Sequence, residues 1–216
     1  SPLVSIVIAT YNRADFLAEA IDSVLEQDHT AVECVVVDDG STDDTPGLLR
    51  AYEGRIVVLT QENRGQPRAV NRGFRESHGA LLGVLGSDDR LYPGAIAHAV
   101  AALVADPRAA VAHGDVELTD ERDDPIMRYG VGDLQLVDCL RFHAGPATTG
   151  MLFRRTAIEK VGGWNPDFPV GPDFEFWLRL GLCGRYAHVP RLLGNFRQHP
   201  GSITAAREDD AARARE

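Results

Sequence analysis

Two pairs of adjacent aspartates, Asp38-Asp39 and Asp88-Asp89, each close an apolar run. The runs, Val32 to Val37 and Leu81 to Leu85, show little polar alternation, as strands buried on both faces of a parallel sheet do. Acids at the carboxyl ends of such strands stand where open α/β sheets hold their ligands. Four carboxylates on one rim repel each other unless a cation or bound donors compensate. Oxygen ligands of this kind suit Mn²⁺ or Mg²⁺, kept partly hydrated and completed by substrate phosphates. Taken alone, Ser87-Asp88-Asp89 serves equally well as a turn and cap ahead of Pro93. The second acid pair moves the balance toward metal-assisted chemistry.

The elements that would position these acids can be read from hydrophobic periodicity. Leu3 to Ala9 is a β-branched run and a first buried strand. Phe16, Leu17, Ala20, Ile21, Val24 and Leu25 then fall at helical spacing, with Asn12 as the candidate N-cap. Val32 to Val37 is a second strand. A helix capped by Thr42 or Asp43 runs to about Tyr52, and Ile56 to Leu59 is a third strand. Ala69 to Ser77 is a third helix, followed by the strand that ends at Asp88-Asp89. This β-α-β-α-β-α-β order predicts a Rossmann-like, mostly parallel sheet flanked by helices.

Farther on, Pro93 opens a helix to about Ala105, and Ala110 to Val116 is a fifth strand. Leu118 to Gly132 is polar and reads as a mobile loop or loose hairpin. Leu134 to Phe142 and Thr156 to Val161 are short helices, Thr148 to Phe153 a strand, Asp173 to Leu182 a helix and Leu192 to Phe196 a late strand. Residues 1–204 are expected to form one domain, with a nucleotide-binding half (1–116), a smaller C-terminal acceptor lobe (117–204) and a tail (205–216).

Composition excludes several classes. The 216 residues carry a net charge of −10, which disfavours a general nucleic-acid binder. Cys34, Cys139 and Cys183 are odd in number and far apart, against a disulfide framework or zinc site. No run reaches transmembrane length. A cytoplasmic location follows, with peripheral attachment at the inner face of a membrane left open.

A set of short motifs in fixed order resembles the family 2 inverting glycosyltransferases of the GT-A fold. They are Val7-Ile8-Ala9-Thr10-Tyr11-Asn12-Arg13, Val36-Val37-Asp38-Asp39-Gly40-Ser41-Thr42-Asp43, Asn63-Arg64-Gly65, Ala69-Val70-Asn71-Arg72-Gly73 and Ser87-Asp88-Asp89. Met151 to Arg155, Gly162-Gly163-Trp164, Asp173 to Arg179 and Phe196-Arg197-Gln198-His199 continue the pattern. Together they cover about residues 3 to 204.

The resemblance implies a donor that is a nucleoside diphosphate sugar, UDP- or dTDP-linked, and an acceptor hydroxyl on a glycan, lipid-linked sugar or small molecule. It implies nucleotide contacts from Thr10, Tyr11, Asn12, Arg13, Asp39, Arg68, Ser87 and Asp88. Tyr11 would stack on the base, Asp39 accept its imino hydrogen bond and Asp88 bind the ribose. Asp89 and His199 would hold Mn²⁺ or Mg²⁺, and Asp173 would act as general base. Trp164, Glu175 and Trp177 would face the acceptor, with Glu175 the second choice of base. Arg68 and Arg72 are equally well read as a solvated helix face, Asp173 as an N-cap and His199 as structural.

Two departures from the family pattern stand out. Pro172-Asp173 replaces the usual Glu-Asp, and Gly86 stands where many relatives place an acid. Two alternatives share parts of the pattern: a sugar nucleotidyltransferase and a degenerate, non-catalytic nucleotide-binding module. No Gly-rich, Arg-containing loop follows the first strand, as the former would need.

Overall fold

A computed structural model describes residues 1–142, 145–168 and 171–202. The tail expected from 205 lies outside them. The described residues build one nine-stranded sheet in the order β3-β2-β1-β4-β8-β6-β9-β5, with β7 paired to β6. The first four strands are β1 (Val4–Thr10), β2 (Val32–Asp38), β3 (Val57–Thr60) and β4 (Leu81–Gly86), all parallel. A two-residue strand β5 (Arg90–Leu91) and the long β6 (Ala109–Thr119) follow. The later strands are β7 (Pro125–Tyr129), β8 (Leu152–Arg154) and β9 (Arg185–Arg197). β8 runs antiparallel to both β4 and β6, and β6 is parallel to β9. The expected parallel sheet is thus extended by a mixed second half.

Helices α1 (Ala14–Leu25), α2 (Thr45–Arg50) and α4 (Ala95–Ala105) cover one face, and α3 (Gln66–Glu76), α6 (Arg155–Val161) and α7 (Pro172–Gly181) the other. The short α5 (Leu136–Phe142) lies against α7. Strand periodicity makes this possible. Ile6 and Ile8 pack with Leu17 and Ile21 on the first side, while Val7 packs with Val70 and Phe74 on the second. That two-sided burial is why the strands read as unbroken apolar runs. Gly73 in α3 brings the helix close to β1, since a Cβ there would meet Val7 Cγ1 at 2.3 Å. Close packing offsets the roughly 1 kcal/mol that an interior glycine costs. Among the described residues no helix is long and apolar enough to cross a membrane.

Several local expectations are corrected. Asn12 is not the N-cap of α1. It sits at φ 52°, and its Oδ1 accepts from Thr42 N at 2.8 Å. Asp43 does the capping instead, accepting from Ala14 N at 3.2 Å and Thr45 N at 3.0 Å, so one carboxylate serves two helices. Asp173 is not an N-cap either, because Gly171 holds that position and Pro172 opens α7. Of the two readings of the polar stretch after Leu118, loop or hairpin, the structure shows the hairpin. Its turn is closed by Asp120 Oδ1, which accepts from Arg122 N and Asp124 N, each at 2.9 Å. β9 begins at Arg185, seven residues before the expected Leu192.

Three arginines satisfy helix C-termini. Arg154 donates to the carbonyls of Leu103 and Asp106 at the end of α4. Arg155 donates to the carbonyls of Phe74 and Ser77 at the end of α3, and to Gly79 O. Arg179 donates to the carbonyls of Val161, Gly162 and Gly163 after α6. Buried carbonyls without partners are costly, and a cation there also meets the negative end of the helix dipole. Arg155→Met is expected to cost about 3 kcal/mol, a fall of roughly 10 °C in melting temperature, measurable by calorimetry.

One buried group works against the fold in acid. His113 on β6 is 0% exposed, and among the described residues neither ring nitrogen has a partner. It faces His188, Tyr186, Asp115 and Asp133. Burial, aided by His188, pushes its pKa down to about 4. Above about pH 6.5 both the folded and unfolded states leave it neutral, so stability is complete there. As pH falls toward 4 the unfolded chain takes up a proton that the fold refuses. Between pH 8 and pH 5 thermal melts should show the wild type losing on the order of 2 kcal/mol relative to His113→Leu, a difference that leaves other titrating groups out. Parallel pH profiles for the two proteins would contradict the assignment.

Candidate functional site

Parallel register brings the acid-bearing strand ends to one rim. Thr10 lies opposite Asp38, Asp38 opposite Thr60, and Ala9 opposite Gly86. Below the rim opens a cleft of about 640 Å³ whose walls include Asp88, Asp89, Thr149, Trp164, Asp173 and Trp177. Residues from β4, β6, β9 and α7 therefore share one cavity.

Asp88 and Asp89 fold back over Gly86. A Cβ at Gly86 would stand 2.9 Å from Asp88 Oδ1 and 2.6 Å from Asp89 Oδ2. Glycine at 86, unexpected from the family pattern, is what leaves room for both carboxylates. Asp89 is buried: its Oδ2 accepts from Thr149 Oγ1 at 3.0 Å and its Oδ1 from Arg197 N at 2.9 Å. Burial, and then the charge of Asp88, pushes its pKa up to about 7. Asp88 Oδ2 lies 3.1 Å from His199 Nε2 and 3.9 Å from Arg13 Nε. His199 rests on Phe16, ring centroids 4.7 Å apart. Carboxylate and imidazole are ligand types that Mn²⁺ and Mg²⁺ accept, but among the described residues no three His, Cys, Asp or Glu side chains are grouped to hold a metal ion, so further ligands would have to come from substrate phosphates and water.

The loops beyond β2 and β3 are built around Asp39. Its Oδ1 accepts from Gln61 Nε2 at 2.7 Å and Arg64 N at 2.9 Å, and its Oδ2 from Gly65 N at 2.8 Å. The carboxylate thus shapes the loop between β3 and α3. Asp38 is also buried and closes the turn to Ser41, whose amide it accepts at 2.9 Å. Tyr11 is 44% exposed beside this loop system. Asn12 and Arg13 tie the loops together: Asn12 N donates to Ser41 Oγ at 2.9 Å, and Arg13 Nη2 donates to Gly201 O. Thr10 and Ser87 are buried, and among the described residues Thr10 Oγ1 has no partner. Arg68 is exposed on the first turn of α3, whereas Arg72 is spent on Thr60 O at 2.7 Å.

In the same cleft, Asp173 accepts from Thr148 Oγ1 at 3.4 Å. Trp164 and Trp177 also line it and are buried, and among the described residues neither indole N–H has a partner. Glu175 is not brought to the cleft. Both of its oxygens bind Arg179, at 2.6 and 2.7 Å, one helical turn away. It buttresses the α6–α7 corner, which removes it as a base or acceptor contact.

Thr149, Phe16 and the Arg197 amide were not singled out for the acid pair from sequence. Thr149 lies 60 residues from Asp89 and Arg197 lies 108. Only the family-like spacing of Phe196 to His199 hinted at the second.

The comparisons with known proteins agree with this geometry. Residues 5–162 match the model of glycosyl transferase family 2. An uncharacterized glycosyltransferase of Rickettsia prowazekii (strain Madrid E) is 31% identical over 187 residues, covering 83% of this chain and 59% of that protein. The succinoglycan biosynthesis protein ExoU of Rhizobium meliloti (strain 1021) is 38% identical over 202 residues, 85% of this chain and 58% of that protein. The chain thus spans under two thirds of these relatives' length. S. aureus TarS 1-349 in complex with UDP-GlcNAc superposes with a TM-score of 0.78 at 18% identity, over 94% of this chain and 61% of that one. The mannosyltransferase PcManGT from Pyrobaculum calidifontis in complex with GDP-Man and Mn²⁺ gives 0.73 at 23% identity, over 97% and 61%. At such identities these likenesses speak for the GT-A fold. With that fold and the family match over most of its length, the chain belongs to glycosyl transferase family 2.

Proposed function

We propose that the protein transfers a sugar from a nucleoside diphosphate sugar to an acceptor hydroxyl, inverting the anomeric centre in one displacement. The observation that carries this is the shared cleft, whose lining holds Asp88, Asp89 and Asp173 together. In the same lining, indole N–H groups that have no partner among the described residues also suit a polar ligand. Family membership takes the ground from the sugar-nucleotidyltransferase alternative.

In this reading Tyr11 stacks on the base. Asp39 Oδ2, with one hydrogen bond already made, accepts from the base imino group. Asp88 Oδ1 takes a ribose hydroxyl. Asp89, with His199 from beside Asp88, would hold Mn²⁺ or Mg²⁺, which would supply charge to stabilise the leaving diphosphate. Arg13 and exposed Arg68 lie on the donor side and suit the phosphates. Asp173 removes the proton of the acceptor hydroxyl as it attacks from the face opposite the leaving group. Trp164 and Trp177 frame the acceptor and exclude water that would otherwise hydrolyse the donor.

The relatives guide the finer choices. One solved neighbour holds UDP-GlcNAc and another GDP-Man with Mn²⁺. A relative takes part in succinoglycan biosynthesis, which supports a role in polysaccharide or cell-envelope synthesis. The role given to Asp39 favours UDP- or dTDP-sugars, since the guanine edge offers a different donor pattern. A cytoplasmic site of action, at or near the inner face of a membrane, fits such a pathway.

Asp173→Asn should bind UDP with Mn²⁺ as the wild type does, yet lose transfer by about 10³-fold in a sugar-release assay. Near-normal turnover would remove Asp173 as base. Asp89→Asn should bind UDP no better with Mn²⁺ than with chelator, measured by titration calorimetry. Full metal-dependent binding would move the cation elsewhere.

A further inference from the structure

Behind the acid pair, touching the cleft lining only at Arg197, lies a charged node that the proposed mechanism leaves unused. Asp123 sits in the β6–β7 turn at φ 72°, a left-handed backbone rare for residues other than glycine. Such a conformation costs free energy and persists only where its surroundings hold it. Here the Asp123 carboxylate is held by three partners. Oδ2 pairs with Arg90 Nη2, while Oδ1 accepts from Asn195 Nδ2 at 2.5 Å and lies 3.6 Å from Arg197 Nη2.

Each partner leads back to Asp89. Arg90 is the next residue in the chain, and its amide donates to Asn195 Oδ1 at 2.6 Å. Arg197 supplies the amide that reaches Asp89 Oδ1 at 2.9 Å. Its guanidinium is pinned over Phe16 at 4.9 Å and donates to Glu19 Oε2 at 2.7 Å. Asn195 is fully buried and also donates to Thr119 Oγ1 at 3.1 Å, anchoring the node to the end of β6. Two arginines, Arg90 and Arg197, are thus balanced by Asp123 and Glu19.

We propose that Asp123 is a positioning residue for Asp89. Through Asn195 and Arg90 it fixes the backbone that follows the acid pair, and through Arg197 it fixes the amide that orients the Asp89 carboxylate. The hairpin therefore works as a clamp set behind the site. This rests on the assignment of Asp89 to the metal. Groups that orient a metal ligand commonly change metal affinity about tenfold or more when removed.

The test is titration calorimetry of Mn²⁺ into the protein with UDP, at a temperature well below melting. Asp123→Asn keeps the size of the side chain and removes its charge. It should weaken Mn²⁺ binding about tenfold while the melting temperature stays within a few degrees. Glu121→Gln, the same charge change at an exposed position of the same turn, should bind as the wild type. An unchanged Kd in a folded Asp123→Asn overturns the inference, as does equal weakening in Glu121→Gln. Should Asp123→Asn fail to fold, Thr119→Val decides. It removes only the hydroxyl that anchors Asn195, and weaker Mn²⁺ binding supports the clamp whereas an unchanged Kd overturns it. A wild type that binds UDP without regard to metal overturns the proposed function and this inference with it. Metal-dependent wild-type binding with unaffected variants overturns the inference alone.

Discussion

Two carboxylates forced together at the end of a buried strand set the terms for the rest of the molecule. Asp88 and Asp89 share the space above Gly86, and water hardly reaches the second of them. Their repulsion in a medium of low polarity must be answered from elsewhere in the chain. The answers are a hydroxyl from Thr149, an amide from Arg197, the imidazole of His199 and the guanidinium of Arg13. All but Arg13 come from the second half of the sequence. The second half is therefore what completes the site begun by the first.

The fold makes those long-range contacts cheap to hold. β9 runs the length of β6 and delivers Asn195 and Arg197 beside the acid pair, with His199 just past the strand end. Arg154 and Arg155, adjacent in sequence, cap helices on opposite faces of the sheet and so lock its two halves together. Arg179 fastens α6 to α7, the helix that carries Asp173. Rigid supports of this kind matter because a misplacement of about 1 Å at reacting groups can cost two orders of magnitude in rate.

Much of this was legible in the residues. Unbroken apolar runs such as Leu81 to Leu85 gave the buried strands, and the switch to helical spacing after Arg13 gave α1, because burial on two faces and burial on one stripe leave different periods. The acid pairs were expected at the carboxyl ends of two strands of one sheet, and the parallel register puts those ends on either side of β1. The failures share one cause, that distant partners leave no local trace. Asn12 looked like a cap but is drawn to Thr42 across the loop. The first half of β9, interrupted by Pro190, has no strand-like pattern and is strand because β6 pairs with it. Glu175 had the right charge near the right helix, yet Arg179 one turn on claims it. Gly86 looked like a missing ligand, and its meaning emerges only from the side chains that crowd above it.

The central claim is that the Asp88–Asp89 pair over Gly86 is a cation site serving a nucleoside diphosphate. Anomalous scattering from a crystal grown with UDP and Mn²⁺, recorded at the manganese edge, tests it most directly. The account predicts one strong peak about 2.1 Å from an Asp89 oxygen, bridging to the diphosphate, with the ribose against Asp88. A peak away from Asp89, or a diphosphate bound in the cleft with no manganese beside it, would contradict it.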